Sequence, residues 1–529
     1  MGTTIMTAEA GRTEAGAGEA SPVDAHEIVR GSLRSFLRGG LVGDEAAAFR
    51  ARLPEADWAA VMWMARRHKV LPPLHEGLSP FAADVPPEVR AKLKRQAEIN
   101  GLYSLTQSRE FLELEDVFAA SGARVIPVGG QVQAALIHGN LALRQSRFIR
   151  LRYLVRPEDV PRLEELLTPL GYVFDPDLIR LFRFGVTRSK VIWHTGPAAG
   201  RSFPEALFEK MWARRKAVSL GSRRVWTLAP EDMLLFLCRE EIAHHHLHWR
   251  RLVEIGALVR HPDGFEWPVA LETARQTGLE REATLQLALA RDLLGIDLPE
   301  PVVERARRPV IRRAAERVKA VAWGLAPEPG YPERLRFRVG LKTGLGAKAG
   351  YAWRQGRKDL RAAWKKATRS RAEAKNIGLF APTPMAVAEQ MLRLAEVGPE
   401  DRVYDLGCGD GRIVILAAKL FGARGVGIDF DPELVAKARR KAEEEGVSHL
   451  VSFVEGDVME ADLGPASVVT IYLQDFAFPR LLKKLRRDLR PGARIVSHDF
   501  FFKSRPPKKA EVVSPAPGLL SHIYLWEAP

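Results

Sequence analysis

Val403-Tyr404-Asp405-Leu406-Gly407-Cys408-Gly409-Asp410-Gly411-Arg412 is an apolar run that breaks into three alternating glycines, after which Ile413-Val414-Ile415-Leu416-Ala417-Ala418 takes up a helical pattern. Strand, glycine turn and helix start in that order predict a small-molecule cradle. Glycines let backbone approach a ligand, and the free N–H groups of the helix start face it. A second apolar run, Gly425-Val426-Gly427-Ile428, ends in Asp429, about 20 residues beyond the glycines, where an acid can take both hydroxyls of a ribose. The expected ligand therefore carries an adenosine ribose.

Two such ligands compete, a nicotinamide dinucleotide and S-adenosylmethionine. The dinucleotide fingerprint is G-x-G-x-x-G, whereas this loop reads G-x-G-x-G and puts Arg412 where the third glycine would stand. A third strand, Val451-Ser452-Phe453-Val454, leads into Glu455-Gly456-Asp457-Val458, the usual place for an acid that reads an adenine edge. The set resembles the class I S-adenosylmethionine-dependent methyltransferases. That resemblance implies a Rossmann-like α/β fold with S-adenosylmethionine as cofactor. Asp405, Gly407, Cys408, Gly409, Gly411, Asp429 and Asp457 would be the cofactor-binding residues. A doubly wound domain with a decayed site is the bland alternative.

The chain has 529 residues and 46% hydrophobic content, enough for two or three domains with sizeable cores. No uninterrupted apolar run of about 18 or more residues occurs, and residues 1–25 have neither a basic start nor an apolar stretch. A cytoplasmic protein with a disordered first 25 residues is expected. Cys238 and Cys408 sit in unrelated patterns and imply no disulfide framework.

The formal charge of +15 is unevenly placed. Residues 331–376 hold 14 Lys and Arg against 3 acids, interspersed with glycine, and read as a basic linker. Its second half sets Trp353, Leu360 and Trp364 among cations at helical spacing. This suits an amphipathic helix for an anionic membrane or nucleic acid, or equally a solvated helix that packs two tryptophans on a neighbouring domain.

Residues 26–330 read as mixed α and β. Helices are expected at Trp58 to Ala65 and Ala97 to Ala120, and strands at Arg124 to Val128 and Leu151 to Val155, with a turn at Arg156-Pro157-Glu158-Asp159. This order, with Val125-Ile126-Pro127-Val128-Gly129-Gly130, Leu151-Arg152-Tyr153-Leu154-Val155 and Val191-Ile192-Trp193-His194, resembles an uncharacterised bacterial nucleotidyltransferase family of the polymerase-beta-like superfamily. Such enzymes hold Mg²⁺ on two aspartates at i and i+2 of one strand and on a third acid of a neighbouring strand. In this chain the three positions fall at Arg150, Arg152 and Ile192, and Gly129 replaces the expected lysine. The resemblance thus implies an α+β domain that has become a pseudoenzyme, with Glu158 and Asp159 as the competing acids if the register is shifted. The arginine pair suits a phosphate or an acidic partner, or is a solvated strand face. His244, His245, His246 and His248 point in different directions on a helix, and no metal site is expected there.

The C-terminal domain is expected from about Ile377 to Pro529. Pro384 suits the first turn of a helix from Met385 to Ala395, and Thr383 could cap it. Pro382-Thr383-Pro384, the glycine motif and Ser497-His498-Asp499-Phe500 together resemble bacterial relatives of the mitochondrial protein-lysine methyltransferases. After the fourth strand, Val468 to Leu473, the chain departs from that group with Gln474-Asp475-Phe476, which leaves substrate choice open. The position lies at the carboxyl end of a parallel strand, where a substrate nucleophile must be held. Asp475 is the first candidate for substrate contact, followed by Tyr472, His498 and Asp499, and Asp499 could instead only cap a turn.

The expected architecture is a C-terminal Rossmann-like methyltransferase domain preceded by an α+β nucleotidyltransferase-like domain. Three functional readings remain open at this level. The first is a methyltransferase acting on protein lysine and fused to an inactive domain. The second is a scaffold with both sites decayed, and the third is an active nucleotidyltransferase with a second, methyl-transferring activity.

Overall fold

In the computed structural model, the described residues are 5–8, 22–145, 149–170, 172–175, 180–183, 189–195, 205–241, 249–322, 331–342, 348, 352, 382–473, 477–500, 502, 507–516 and 519–528. The chain divides into two compact units, one of residues 16–359 and one of residues 1–15 with 360–529.

The strands, in chain order, are β1 (Ile5–Ala8), β2 (Ile126–Pro127), β3 (Ile149–Leu154), β4 (Tyr172–Asp175), β5 (Arg180–Arg183), β6 (Ser189–His194), β7 (Lys216–Leu220) and β8 (Arg223–Thr227). They continue with β9 (Arg402–Leu406), β10 (Arg424–Asp429), β11 (Val451–Glu455), β12 (Val468–Ile471), β13 (Arg494–His498), β14 (Lys509–Ala516) and β15 (Leu519–Glu527).

In the N-terminal unit, β2 to β6 form a five-stranded sheet in the order β2-β3-β6-β5-β4, and β7 and β8 form a separate hairpin. The expected strand at 124–128 shrinks to two paired residues at the sheet edge, because Pro127 has no N–H to donate to a ladder. The long helix runs from Pro87 to Ser121, ten residues earlier than its apolar pattern suggested. Pro87 suits its first turn, and Gly122 ends it at φ 67° in the left-handed region. Phe111 and Phe118 of this helix pack on Tyr153 of β3 at ring-centre distances of 6.4 and 5.1 Å. Leu151 and Tyr153 are thereby buried on one face of the strand.

Two boundaries differ from expectation. Residues 5–8, expected to lack order, form an edge strand antiparallel to β14, and a helix begins at Pro22. The first part of the basic segment is no linker. Tyr331–Gly340 is helical, Leu341 is buried, Lys342 pairs with Glu282, and Arg281 donates to the carbonyls of Gly340 and Lys342 at 3.1 Å each. Trp353, Leu360 and Trp364, like His244, His245, His246 and His248, lie outside the described residues.

The C-terminal unit is an eight-stranded sheet in the order β1-β14-β15-β13-β12-β9-β10-β11. The five strands from β11 to β13 are mutually parallel, and β15, β14 and β1 continue the sheet antiparallel. Val403, Leu406, Val469 and Ile471 are buried, as strands covered on both faces require. Met385–Leu394 and Arg412–Phe421 share a buried cluster with Val403. Phe478–Asp488 contributes Leu481 and Leu485 to a cluster with Leu406, Val469 and Ile471. From β9 the chain builds outward through β10 to β11, then returns to place β12 on the other side of β9. Such a reversal leaves a crevice beyond the carboxyl ends of the two strands, the usual ligand site of open α/β sheets.

Candidate functional site

The glycine loop fills that crevice. Gly407, Gly409 and Gly411 have φ of 83°, 54° and 73°, a region that side chains strain to adopt. Gly407 and Cys408 both donate to the carbonyl of Ile428, at 2.9 and 3.0 Å, which binds the loop to the end of β10. A Cβ on Gly407 would stand 2.8 Å from Leu473 Cδ2, and one on Gly411 would stand 2.6 Å from Phe453 Cε1. The cradle is therefore closed to any larger residue at these two points. Gly411 also forms the N-cap of the helix Arg412–Phe421, so its first N–H groups open toward the loop.

Asp429 terminates β10 and is buried. Gly409 N donates to its Oδ2 at 2.8 Å and Asp431 N to its Oδ1 at 3.1 Å, which fixes the carboxylate plane. Asp457 lies just past β11, where its Oδ1 accepts from Met459 N at 2.9 Å. Gly456 N binds the carbonyl of Asp429 at 2.9 Å, so the two acid-bearing loops stand side by side.

Asp405, the acid of β9, is fully enclosed and accepts a 2.8 Å hydrogen bond from Thr470 Oγ1 of β12. Burial pushes its carboxyl up to about 7, Thr470 works against that, and the charges of Asp429 and Asp410 add to the rise. For Asp410, burial works upward too, but Arg412 and Lys441 outweigh it and hold the carboxyl below its usual range. Arg412 grips both oxygens of Asp410, at 2.8 and 2.6 Å, and donates to the carbonyl of Thr383 at 3.0 Å. The residue that breaks the dinucleotide fingerprint thus ties the loop to the segment before the helix Met385–Leu394.

Thr383 differs from its expected role. Pro384 is the N-cap of that helix and no side chain caps it, while Thr383 Oγ1 lies 3.2 Å from His498 Nδ1. Both side chains are buried. His498 stacks on Tyr472 with ring centres 4.0 Å apart and places Nε2 3.4 Å from Asp499 Oδ2. Asp499 takes φ 59°, exchanges main-chain contact with His522, and accepts His522 N on Oδ1 at 3.0 Å. These contacts hold the turn after β13.

Tyr472, His498 and Asp499 therefore gather at the carboxyl ends of β12 and β13, beside the loop. Asp475 and Gln474 lie outside the described residues. Three contributors were missed from sequence: the Thr383 hydroxyl, Arg412 as a clamp, and Leu473 as the wall over Gly407. The Pro-Thr-Pro signal was present for the first, but a threonine before a helix reads as a cap.

The residues fit S-adenosylmethionine. The cradle admits only glycine where a ligand backbone contact is needed, the fixed Asp429 carboxylate suits a ribose diol, and carboxylates surround a site meant for a cation.

In the N-terminal unit, β3 and β6 are parallel and pair Arg152 with Ile192. A Cβ on Gly129 would stand 2.9 Å from Arg152 Cδ, so glycine and arginine side chain occupy adjoining space. Glu158 and Asp159 lie in a 3₁₀ turn after β3, where Arg156 Nε holds Asp159 at 2.8 Å.

Residues 54–295 match a family described as uncharacterised nucleotidyltransferase, and residues 405–509 match the ANTKMT methyltransferase domain. A protein-lysine N-methyltransferase of Saccharolobus islandicus is 41% identical over 149 residues, which are 28% of this chain and 91% of that protein. A lysine N-methyltransferase of Xenopus laevis named for an ATP synthase component is 38% identical over 105 residues, 20% of this chain, and the chain spans only 46% of its length. Among solved structures, an RNA methyltransferase from Salinibacter ruber in complex with S-adenosyl-L-homocysteine is 48% identical, with 28% of this chain and 94% of that one covered and a TM-score of 0.27.

Proposed function

We infer that the methyl acceptor is a lysine of a protein, from the premise that the chain belongs, through its C-terminal unit, to the S-adenosylmethionine-dependent methyltransferase family of the archaeal protein-lysine N-methyltransferase. The cofactor is S-adenosylmethionine, and the chain is an enzyme of that class. The observation that carries the lysine reading is 41% identity over an alignment that spans 91% of the Saccharolobus islandicus enzyme's length.

Bound S-adenosylmethionine supplies a methyl group on a sulfonium, which is already an activated electrophile. The chain's own work is alignment and proton handling. Asp429 and Asp457 would hold the nucleoside, and the glycine loop would cradle the remainder. A lysine must reach the site as a neutral amine, so a nearby acceptor has to take or guide its proton. Asp475 remains the first candidate for that contact. At the carboxyl ends of β12 and β13, the His498 ring is held by Thr383 Oγ1 and by stacking on Tyr472.

The test is methyl transfer from labelled cofactor into a lysate of the native organism, followed by mass spectrometry. Label is expected on lysine of a protein band. Label that ribonuclease removes would overturn the lysine reading.

For the N-terminal unit, we propose a nucleotidyltransferase-like domain without metal-dependent transfer. The pairing of Arg152 with Ile192, two positions where carboxylates would be needed, supports this. For the basic residues 343–376 we propose association with anionic surfaces. Retention of that peptide on anionic liposomes or nucleic acid at low salt tests it, and indifference to both would leave only a packing role. No described helix is long and apolar enough to cross a membrane.

A further inference from the structure

The helix Phe478–Asp488 carries its charge on one side. Arg480, Lys483 and Arg487 follow one another at helical spacing, and Arg486 stands beside Lys483 in the neighbouring row. All four are exposed, and among the described residues they are the only exposed side chains of this helix. The opposite side is apolar and filled, with Leu481 and Leu485 buried in the cluster of Leu406, Val469 and Ile471. Asp488 is the acid of the helix, and both Lys484 and Arg487 pair with it. Arg480, Lys483 and Arg486 have no carboxylate at ion-pair distance among the described residues.

This face starts beside the crevice. The helix follows β12, and the ring of Phe478 in its first turn lies 6.1 Å from that of Phe500, which lies 6.3 Å from Tyr472. Tyr472 in turn stacks on His498. Arg480 stands in the same first turn, and the stripe runs on from it to Arg487 over about 10 Å. An extended peptide advances about 3.3 Å per residue, so about three or four residues cover the stripe.

We propose that this basic face docks an acidic segment of the methylated protein, held alongside the lysine that enters the crevice. The proposal rests on the reading of the acceptor as a protein lysine. Charge complementarity selects a polyanion, and the rest of the face selects among polyanions. It offers no aromatic ring on which the bases of a single-stranded nucleic acid would stack. It offers no apolar stripe to enter a lipid surface either, because the leucines of the helix face the core. Aspartate and glutamate side chains need neither feature. Exposed pairs of this kind orient and select a partner more than they tighten it.

Two labelled peptides test the docking face on the full chain. Each carries one lysine joined through glycines to a tail, of glutamate in one and of glutamine in the other, and fluorescence anisotropy reads binding. The glutamate peptide is expected to bind about threefold to tenfold more tightly at low salt, with a preference that weakens as salt rises. Lys483→Glu with Arg486→Glu should abolish or reverse that preference. The equal charge change Arg308→Glu with Arg313→Glu, at exposed positions of the N-terminal unit, should leave it in place. S-adenosylmethionine affinity and the melting profile confirm that each variant is folded. Equal binding of both peptides by the native chain, or a glutamate preference that survives Lys483→Glu with Arg486→Glu, would overturn the face. Single-stranded RNA or anionic vesicles whose binding falls in that variant, while the peptide preference stays, would assign the stripe to those partners instead. The acceptor itself is read separately in the labelled lysate. Label on protein lysine with equal peptide binding sinks the docking face alone, and label that ribonuclease removes, with the glutamate preference intact, sinks the lysine reading alone.

Discussion

The main-chain N–H of Gly409 donates to Oδ2 of Asp429 at 2.8 Å, while Asp431 N takes Oδ1 at 3.1 Å. The loop and the acid that ends β10 are thus one preorganised unit. Asp429→Ala removes the fixed acceptor and leaves a buried N–H without a partner. Affinity for S-adenosylmethionine should fall about tenfold to over a hundredfold, or ~1.5–3 kcal/mol. Calorimetry reads this directly, and a change of less than about twofold would show that the acid does not hold the ribose.

Gly411→Ala tests the cradle from the other side. Its φ is 73°, and the new Cβ would stand 2.6 Å from Phe453 Cε1 and 2.8 Å from Ala438 Cβ. Backbone strain and overpacking each cost about 1–3 kcal/mol. The C-terminal unit should lose stability in denaturant titrations, with the midpoint shifted and the slope unchanged.

Most of the C-terminal fold was legible in the sequence because its parallel strands are buried on both faces and read as short apolar runs between glycine turns. Asp405, Asp429 and Asp457 were found where strand ends put them. The Thr383 contact with His498 was not legible, since 115 positions separate the partners and only the sheet order brings them together. Pro127 shortened a strand whose apolar pattern extended further. The contact of Arg144 with Glu254 escaped for the same reason as Thr383: 110 residues separate the two. Periodicity reports which face a residue takes, not which distant residue it meets.

Asp405 makes stability depend on pH. Its carboxyl rises to about 7 in the folded state through burial, while in the unfolded chain it titrates near 4. Its contribution is complete below about pH 4 and is lost as pH rises through about 7. Other carboxyls, such as Asp410, act in the opposite sense as pH falls. The difference between the native protein and Asp405→Asn isolates the effect, because an asparagine oxygen can still accept from Thr470. Denaturation from pH 4 to 8 should show the variant gaining on the native protein as pH rises. A constant difference across that range would place the buried acid at an ordinary pKa.

Thr383→Ala should separate positioning from cofactor binding. The hydroxyl reaches His498 Nδ1 at 3.2 Å, and the ring stacks on Tyr472 at 4.0 Å. Without it the ring loses a restraint on its Nδ1 side, so kcat should drop about tenfold or more while S-adenosylmethionine affinity stays within about twofold. Thr383→Ser should restore the rate. Loss of cofactor affinity with an unchanged kcat would assign the residue to the cradle instead.

The N-terminal unit should transfer no nucleotide with Mg²⁺ or Mn²⁺. In β3 and β6, Arg152 pairs with Ile192, and Arg150 stands two residues before Arg152 on the same strand. In the related enzymes, that strand supplies carboxylates two residues apart. At an effective dielectric near 20, a cation ~4 Å from a divalent ion is repelled by about 8 kcal/mol before screening, so the substitution reverses the sign of the field that a metal would meet. Glu158 and Asp159 offer no rescue, being held in the turn beyond β3, with Asp159 bound to Arg156 at 2.8 Å. The full chain incubated with each labelled nucleoside triphosphate and candidate protein acceptors should give no adenylylated or uridylylated product. Carrying Gly409→Arg through the same assay removes any contribution from the methyltransferase loop. Robust metal-dependent labelling that persists in that variant would mean that the functional carboxylates lie elsewhere in residues 26–330, and that the alignment of Arg150 and Arg152 with the family's aspartates is wrong.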